Sequence, residues 1–192
     1  MEPALRTTQI LAISGSLRSA SLNTALLRAA ARLAPTGMRI ELFGELGLLP
    51  LFNPDIEATD APAVANFRAR LLAADGILIA SPEYAHGITG VMKNALDWMV
   101  GCETFVNKPV ALLNASPRAV HAQASLKETI TTMSARIVDE ASIAVPVLGA
   151  KLDEAGIVSH PEISAALREA LMAFQAAITG YQAADAAGRD SA

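Results

Sequence analysis

Nine consecutive residues, Gly15, Ser16, Leu17, Arg18, Ser19, Ala20, Ser21, Leu22 and Asn23, gather hydrogen-bond donors around one cation. Ser16 and Ser21 bring hydroxyls, Asn23 an amide and Arg18 a guanidinium, and a helix opening near Leu22 would add backbone N–H groups carrying partial positive charge. This is the chemistry of an anion cradle, and a monophosphate ester uses donors of each of these kinds. Ser21 has a second reading as the helix N-cap, and Arg18 taken alone reads as a solvated loop cation. Two rival phosphate motifs are missing from the sequence. No Gly-x-x-x-x-Gly-Lys-Ser/Thr run is present for a nucleoside triphosphate, and the loop lacks the second and third glycines of the dinucleotide fingerprint. Glu41 or Glu45 could still act as a ribose-binding acid, so a dinucleotide site is demoted rather than excluded.

A second loop, Ser81 to Gly90, holds Pro82, Glu83, Tyr84, Ala85 and His86. Its backbone offers amides to the polar edge of a flat ring, and Tyr84 offers an aromatic wall. His86 in such a place could bind substrate or tune a ring, with an exposed loop histidine as the blander reading.

The surrounding pattern supplies elements to hold both loops. Gln9 to Ile13, Ile77 to Ala80 and Pro109 to Leu113 are short apolar runs of the kind that form buried parallel strands, Arg39 to Phe43 reads as a second strand, and a fifth lies within Ile137 to Val145. Between them, apolar residues recur at helical spacing from Leu22 to Leu33, Val64 to Leu72, Val91 to Met99 and Ala122 to Met133, with a last helix from Ile163 to Ile178. Glu45 to Asp60 reads as irregular, with Pro50 and Pro54 in it. Alternating strands and helices predict an α/β doubly wound sheet, because right-handed crossovers put helices on both faces. We expect a flavodoxin-like three-layer sandwich with a five-stranded parallel sheet in the order 2-1-3-4-5. One domain would span residues 1–183, and residues 184–192 would form a disordered tail. In that order the first and third strands are neighbours at the topological switch point, so the two loops flank one flat ligand whose phosphate sits in the first. FMN meets that description.

At these loops the sequence resembles the NADPH-dependent FMN reductase family, which includes flavin, quinone, azo-dye and chromate reductases. GSLRSASLN is similar to the family's phosphate loop, SPEYAHGITGVMKNALDW to its second flavin loop and following helix, and LPLFNPD to the segment after the second strand. KPVALLNAS and IVDEASIAVPV extend the likeness, which covers residues 9–180 or so. The resemblance implies that Ser16, Arg18, Ser21, the Leu22 backbone and Asn23 hold the phosphate. It places Pro82, Glu83, Tyr84 and Ala85 against the flavin ring, with Ser116 approaching from a third loop. It further implies FMN as cofactor, NADPH or NADH as electron donor, a small-molecule acceptor such as a quinone, free flavin, azo compound or metal oxyanion, and a homodimer or homotetramer. The flavin would do the chemistry, so no side chain is expected to act as acid or base. The chain departs from the family pattern at three places. Ala85 replaces the usual Asn, Thr89 replaces the usual Pro, and the third loop, Asn114 to Arg118, has no glycine while its Pro117 has no N–H. Two other readings stand beside this one: a flavodoxin-like electron carrier, and a sensor or scaffold without flavin.

Composition narrows the remaining classes. Of 192 residues, 52% are hydrophobic and 18% charged, as in a compact globular chain. A net charge of −4 without a Lys/Arg run argues against nucleic acid. No apolar stretch has membrane-spanning length, and the N-terminal apolar run is too brief for a signal-peptide core, so the expected setting is cytoplasmic. Cys102 is the only cysteine and follows a helix end, which predicts a structural thiol. His121 and His160 read as surface residues, and no metal-ligand spacing connects them with Cys102. The serines lack a Gly-x-Ser-x-Gly elbow, which argues against covalent hydrolysis. Lys93, Asn94, Asp97 and Trp98 share one helix, where ion pairing or packing explains them better than proton transfer.

Overall fold

The computed structural model describes residues 6–56 and 61–190, with the side chains of residues 189–190 left aside. Residues 57–60 of the irregular segment and 191–192 of the tail lie outside the described residues.

Four strands form where the sequence predicts them: β1 Thr8–Ser14, β2 Met38–Phe43, β3 Gly76–Ala80 and β4 Pro109–Asn114. They pair in parallel, with Ile13 opposite Phe43 on one side and opposite Ile79 on the other. The fifth strand is in two pieces, β5 Arg136–Ile137 and β6 Ile143–Ala144, both paired with β4. A 3-10 turn at Asp139–Ala141 divides them. The main path of the sheet is β2-β1-β3-β4-β5, the expected order.

Alternate residues of the central strands feed two cores. Ile10, Ala12, Leu78, Ala80, Ala111 and Leu113 point to one face of the sheet, while Leu11, Ile13, Ile77, Ile79, Val110 and Leu112 point to the other. The second face is covered by α2 Pro62–Ala73, α3 Gly90–Val100 and α4 Val120–Thr132, through Phe67, Leu71, Met92, Leu96, Trp98 and Leu126. The first face is covered by α1 Leu22–Arg32 and by three helices that end the described chain: α5 Val147–Ala150, α6 Glu154–Ser159 and α7 Pro161–Asp190. The short α5 and α6 are not anticipated by the sequence reading. Helix α7 continues past Ala183, where the sequence reading places a tail, as far as Asp190. Among the described residues no helix is long and apolar enough to cross a membrane.

Candidate functional site

All three loops of interest leave the carboxyl ends of β1, β3 and β4, where a doubly wound sheet binds its ligands. Around a cavity of about 370 Å³ they place Ser16, Arg18, Ser21, Leu22 and Asn23 from the first loop, Pro82, Glu83 and Tyr84 from the second, and Asn114, Ser116 and Arg118 from the third. Nine of the ten residues expected at the site therefore line one space. Ala85 is the exception and lies just beyond Tyr84. Asn114, Arg118 and Leu148 also line the cavity without having been singled out.

The first two loops approach closely. Gly15 donates its N–H to the Ala80 carbonyl at 2.8 Å, and a Cβ on Gly15 would lie 2.2 Å from Ser81 Oγ and 3.1 Å from Ser81 Cα. Only glycine fits where backbone meets backbone so tightly. The Thr89 hydroxyl then donates to the Gly15 carbonyl at 2.7 Å and accepts from Met92 N–H as the N-cap of α3.

The first loop is built to leave donors open. Ser21 Oγ caps α1 by accepting from Thr24 N–H at 3.2 Å, so the capping reading holds, and its hydroxyl proton is still available to a ligand. The amides of Leu22 and Asn23, in the first turn of α1, have no carbonyl partner within the helix. Asn23 is buried, and its Oδ1 has no hydrogen-bond partner. An unsatisfied buried amide costs about 1–3 kcal/mol, which a ligand hydroxyl recovers directly, or a phosphate oxygen after the amide plane turns over. Neither Arg18 nor Arg118 has an ion-pair partner among the described residues. These features fit a phosphorylated polyol such as the ribityl phosphate of FMN. The acid of the rival dinucleotide reading is engaged elsewhere: Glu41 pairs with Arg39 at 2.6 Å and with Arg70, and Glu45 accepts from Asn66 at 2.7 Å.

In the second loop, Tyr84 and Gly87 exchange backbone hydrogen bonds of 3.1 and 3.0 Å around Ala85 and His86, both at positive φ (49° and 59°). Two positive φ values at the centre of a two-residue turn define a type I′ geometry. The Glu83 carboxylate accepts from Ala122 N–H at 2.8 Å in the first turn of α4, which lacks a side-chain cap of its own. Both His86 and His121 are exposed, as read for His121, but their rings stack on each other at a 4.3 Å centroid separation. Sequence gives no sign of that pairing, since His121 belongs to α4.

Away from the cavity the helix-borne polar residues have structural partners. Lys93 pairs with Asp97 at 2.6 Å, and Asn94 and Trp98 both donate to the Pro50 carbonyl, at 2.9 and 2.8 Å. Cys102 is buried with its Sγ 2.9 Å from Thr104 Oγ1.

The family profile described as NADPH-dependent FMN reductase matches residues 8–150. The chain is 35% identical over 173 residues to an NAD(P)H-dependent FMN reductase of Pseudomonas aeruginosa, covering 87% of this chain and 93% of that one. It is 32% identical to an NAD(P)H:quinone oxidoreductase of Solanum tuberosum, covering 88% and 91% of the two chains. Among solved structures, the flavoenzyme NAD(P)H:acceptor oxidoreductase of Paracoccus denitrificans superposes with a TM-score of 0.77 at 27% identity, over 90% of this chain and 98% of that one. With a profile match that takes in β1 through α5 and a bacterial relative aligned over nearly its whole length, the chain belongs to the NADPH-dependent FMN reductase family.

Proposed function

We infer that this protein is an oxidoreductase that holds FMN in the cavity between its three loops and passes electrons from NADPH or NADH to a small-molecule acceptor, quinones and free flavin foremost. The observation carrying this reading is the convergence on one cavity of the first-turn amides of α1, two serine hydroxyls, the Arg18 guanidinium and the buried Asn23 side chain, whose Oδ1 has no partner. Relatives named as FMN and quinone reductases support it.

Ser16, Arg18, Ser21, the Leu22 amide and Asn23 would hold the phosphate. Pro82, Glu83, Tyr84 and Ala85 would border the ring, chiefly through backbone, since the Glu83 carboxylate is committed to α4. Ser116 would reach it from the third loop. Bound FMN supplies the hydride-accepting ring, so the chain's own groups position and shield rather than transfer protons.

Titration with FMN tests this reading. At a hundredfold excess over Kd, a ligand bound only by the folded state adds about 2.7 kcal/mol of stability. The expected result is a raised thermal midpoint, flavin absorbance that stays with the protein through gel filtration, and NAD(P)H oxidation driven by added quinone. Arg18→Ala should weaken FMN binding about tenfold or more, as losing a charge-assisted contact does. Failure of the wild type to bind FMN or to oxidise NAD(P)H would overturn the reading.

The same proposal extends to assembly and setting. Leu48, Leu51 and Val100 are 68%, 84% and 66% exposed, and Phe52, packed edge-on to Trp98, is also exposed. An apolar surface of this kind suits a second copy of the chain, giving a homodimer or homotetramer. Light scattering of wild type and Leu51→Asp reads the outcome; a wild-type monomer overturns it. A chain with one buried thiol fits a cytoplasmic setting.

A further inference from the structure

The third loop turns two of its amides, those of Ser116 and Ala119, back on itself. Ser116 N–H donates to Asn114 Oδ1 at 2.9 Å, Ala119 N–H donates to the Ser116 carbonyl at 2.9 Å, and Asn114 Nδ2 donates to the Ala119 carbonyl at 3.2 Å. Pro117 has no N–H to give. The side chains this wall presents are therefore the Ser116 hydroxyl and the Arg118 guanidinium, which is exposed and has no ion-pair partner among the described residues. Glu83, the one carboxylate among the lining residues, is engaged by Ala122 N–H. Two cations from two loops thus face one cavity. A monophosphate held on the α1 side accounts for Arg18 and leaves Arg118 over.

Resting on the FMN reading above, we propose that Arg118 supplies the positive charge facing the flavin ring and sets the potential of the bound cofactor by holding its reduced form more tightly than its oxidised form. The ring is neutral when oxidised. After two-electron reduction it gives up a proton near neutral pH and carries a negative charge along its pyrimidine edge. A guanidinium stays charged throughout and presents five N–H donors in a fixed fork, so its attraction to the ring grows upon reduction. The Arg18 contact does not change in this way, because the phosphate keeps its charge in both states. A loop with a proline and two inward-turned amides thus presents a permanent cation to the cavity.

The experiment measures, for wild type, Arg118→Ala, Arg118→Lys and Arg18→Ala, the Kd of oxidised FMN and the two-electron midpoint potential of the bound flavin. Arg118→Ala is expected to weaken the hold on reduced relative to oxidised FMN about tenfold, which is a fall of about 30 mV. Arg118→Lys should restore most of that fall. Arg18→Ala should raise the Kd of oxidised FMN and leave the potential where it is. A wild-type potential in Arg118→Ala overturns the proposal, as does an equal shift in Arg18→Ala. So does an Arg118→Ala whose only defect is a higher KM for NADPH, since that marks a grip on the nicotinamide donor. If the wild type binds no FMN, the functional reading falls and this inference with it; if FMN binds and the potentials coincide, only this inference falls.

Discussion

The hydroxyl of Thr89 donates to the carbonyl of Gly15 at 2.7 Å, although 74 positions separate the two residues. Thr89 is also the N-cap of α3, so one buried side chain ties the first loop to the second and starts the helix below them. The hydroxyl acts as donor to Gly15 and acceptor from Met92, which uses both of its capacities at once. Thr89 thereby adds a clamp between two walls of the cavity.

Thr89→Val keeps the shape and removes the hydroxyl. A lost cap costs about 1 kcal/mol, and a buried carbonyl left without its donor costs about 1–3 kcal/mol more. Urea denaturation should therefore show a large loss of stability in Thr89→Val and little in Thr89→Ser, which retains both bonds. Equal stability of wild type and Thr89→Val would show that the clamp contributes nothing.

Glu83 makes a second tie of this kind. Its carboxylate satisfies an orphan N–H in the first turn of α4 and lies at the positive end of that helix. Glu83→Ala should cost about 1–2 kcal/mol, as loss of a hydrogen bond to a charged group does, reduced here by partial exposure. FMN binding should weaken in the same variant because α4, which follows the third loop, is no longer pinned to the second loop. Glu83→Gln keeps the acceptor and should lie between. Hydrogen exchange at Ala122 gives the direct reading: protection there must fall in Glu83→Ala.

The contrast between these ties and the loops they join marks what sequence makes legible. Strands β1, β3 and β4 stand out because a parallel strand buried on both faces is apolar at consecutive positions, as in Ile10 to Ile13 and Ile77 to Ala80, whereas β2, at the edge, alternates Arg39 and Glu41 with apolar residues. The fifth strand is blurred because Asp139 and Glu140 interrupt it in a 3-10 turn while Val138 and Ala141 remain buried. Helices α5 and α6 are too short to show a period, although Asp153, which caps α6 by accepting from Gly156 N–H, is a visible start signal. The donors of the first loop are contiguous and so can be read directly. Thr89 with Gly15, Glu83 with Ala122 and His86 with His121 pair across the fold, and nothing local announces them. Arg118 belongs with these, since a single exposed cation takes meaning only from the cavity around it.

The turn at Ala85 and His86 offers a prediction of opposite sign. Both residues have positive φ, and for an L-residue other than Gly, Asn or Asp the left-handed region costs roughly 1–2 kcal/mol. Asn, unlike Ala, tolerates that region through local hydrogen bonding. Ala85→Gly and Ala85→Asn should therefore stabilise the fold by about 0.5–1 kcal/mol. Ala85→Val should destabilise it. A lower unfolding midpoint in Ala85→Asn would mean that the turn is not strained at this position.

Lys108 supplies a dependence on pH at the opposite end of the sheet. Its Nζ donates to the Ala74 carbonyl at 2.6 Å, and burial pushes its amine below the ordinary 10.5, outweighing the opposing attraction of Asp75. A lysine whose pKa falls on folding makes the unfolded chain bind more protons between the folded-state value and 10.5, so stability rises with pH across that window. Lys108→Met removes the titrating amine and also the hydrogen bond to Ala74, and the second loss is a cost independent of pH. Chemical denaturation of both proteins at a series of alkaline pH values separates the two effects. The wild type must gain stability relative to Lys108→Met as pH climbs towards 10.5 and stop gaining above it. A difference that stays constant across the series would mean that burial leaves the amine of Lys108 as basic in the folded chain as in the unfolded one.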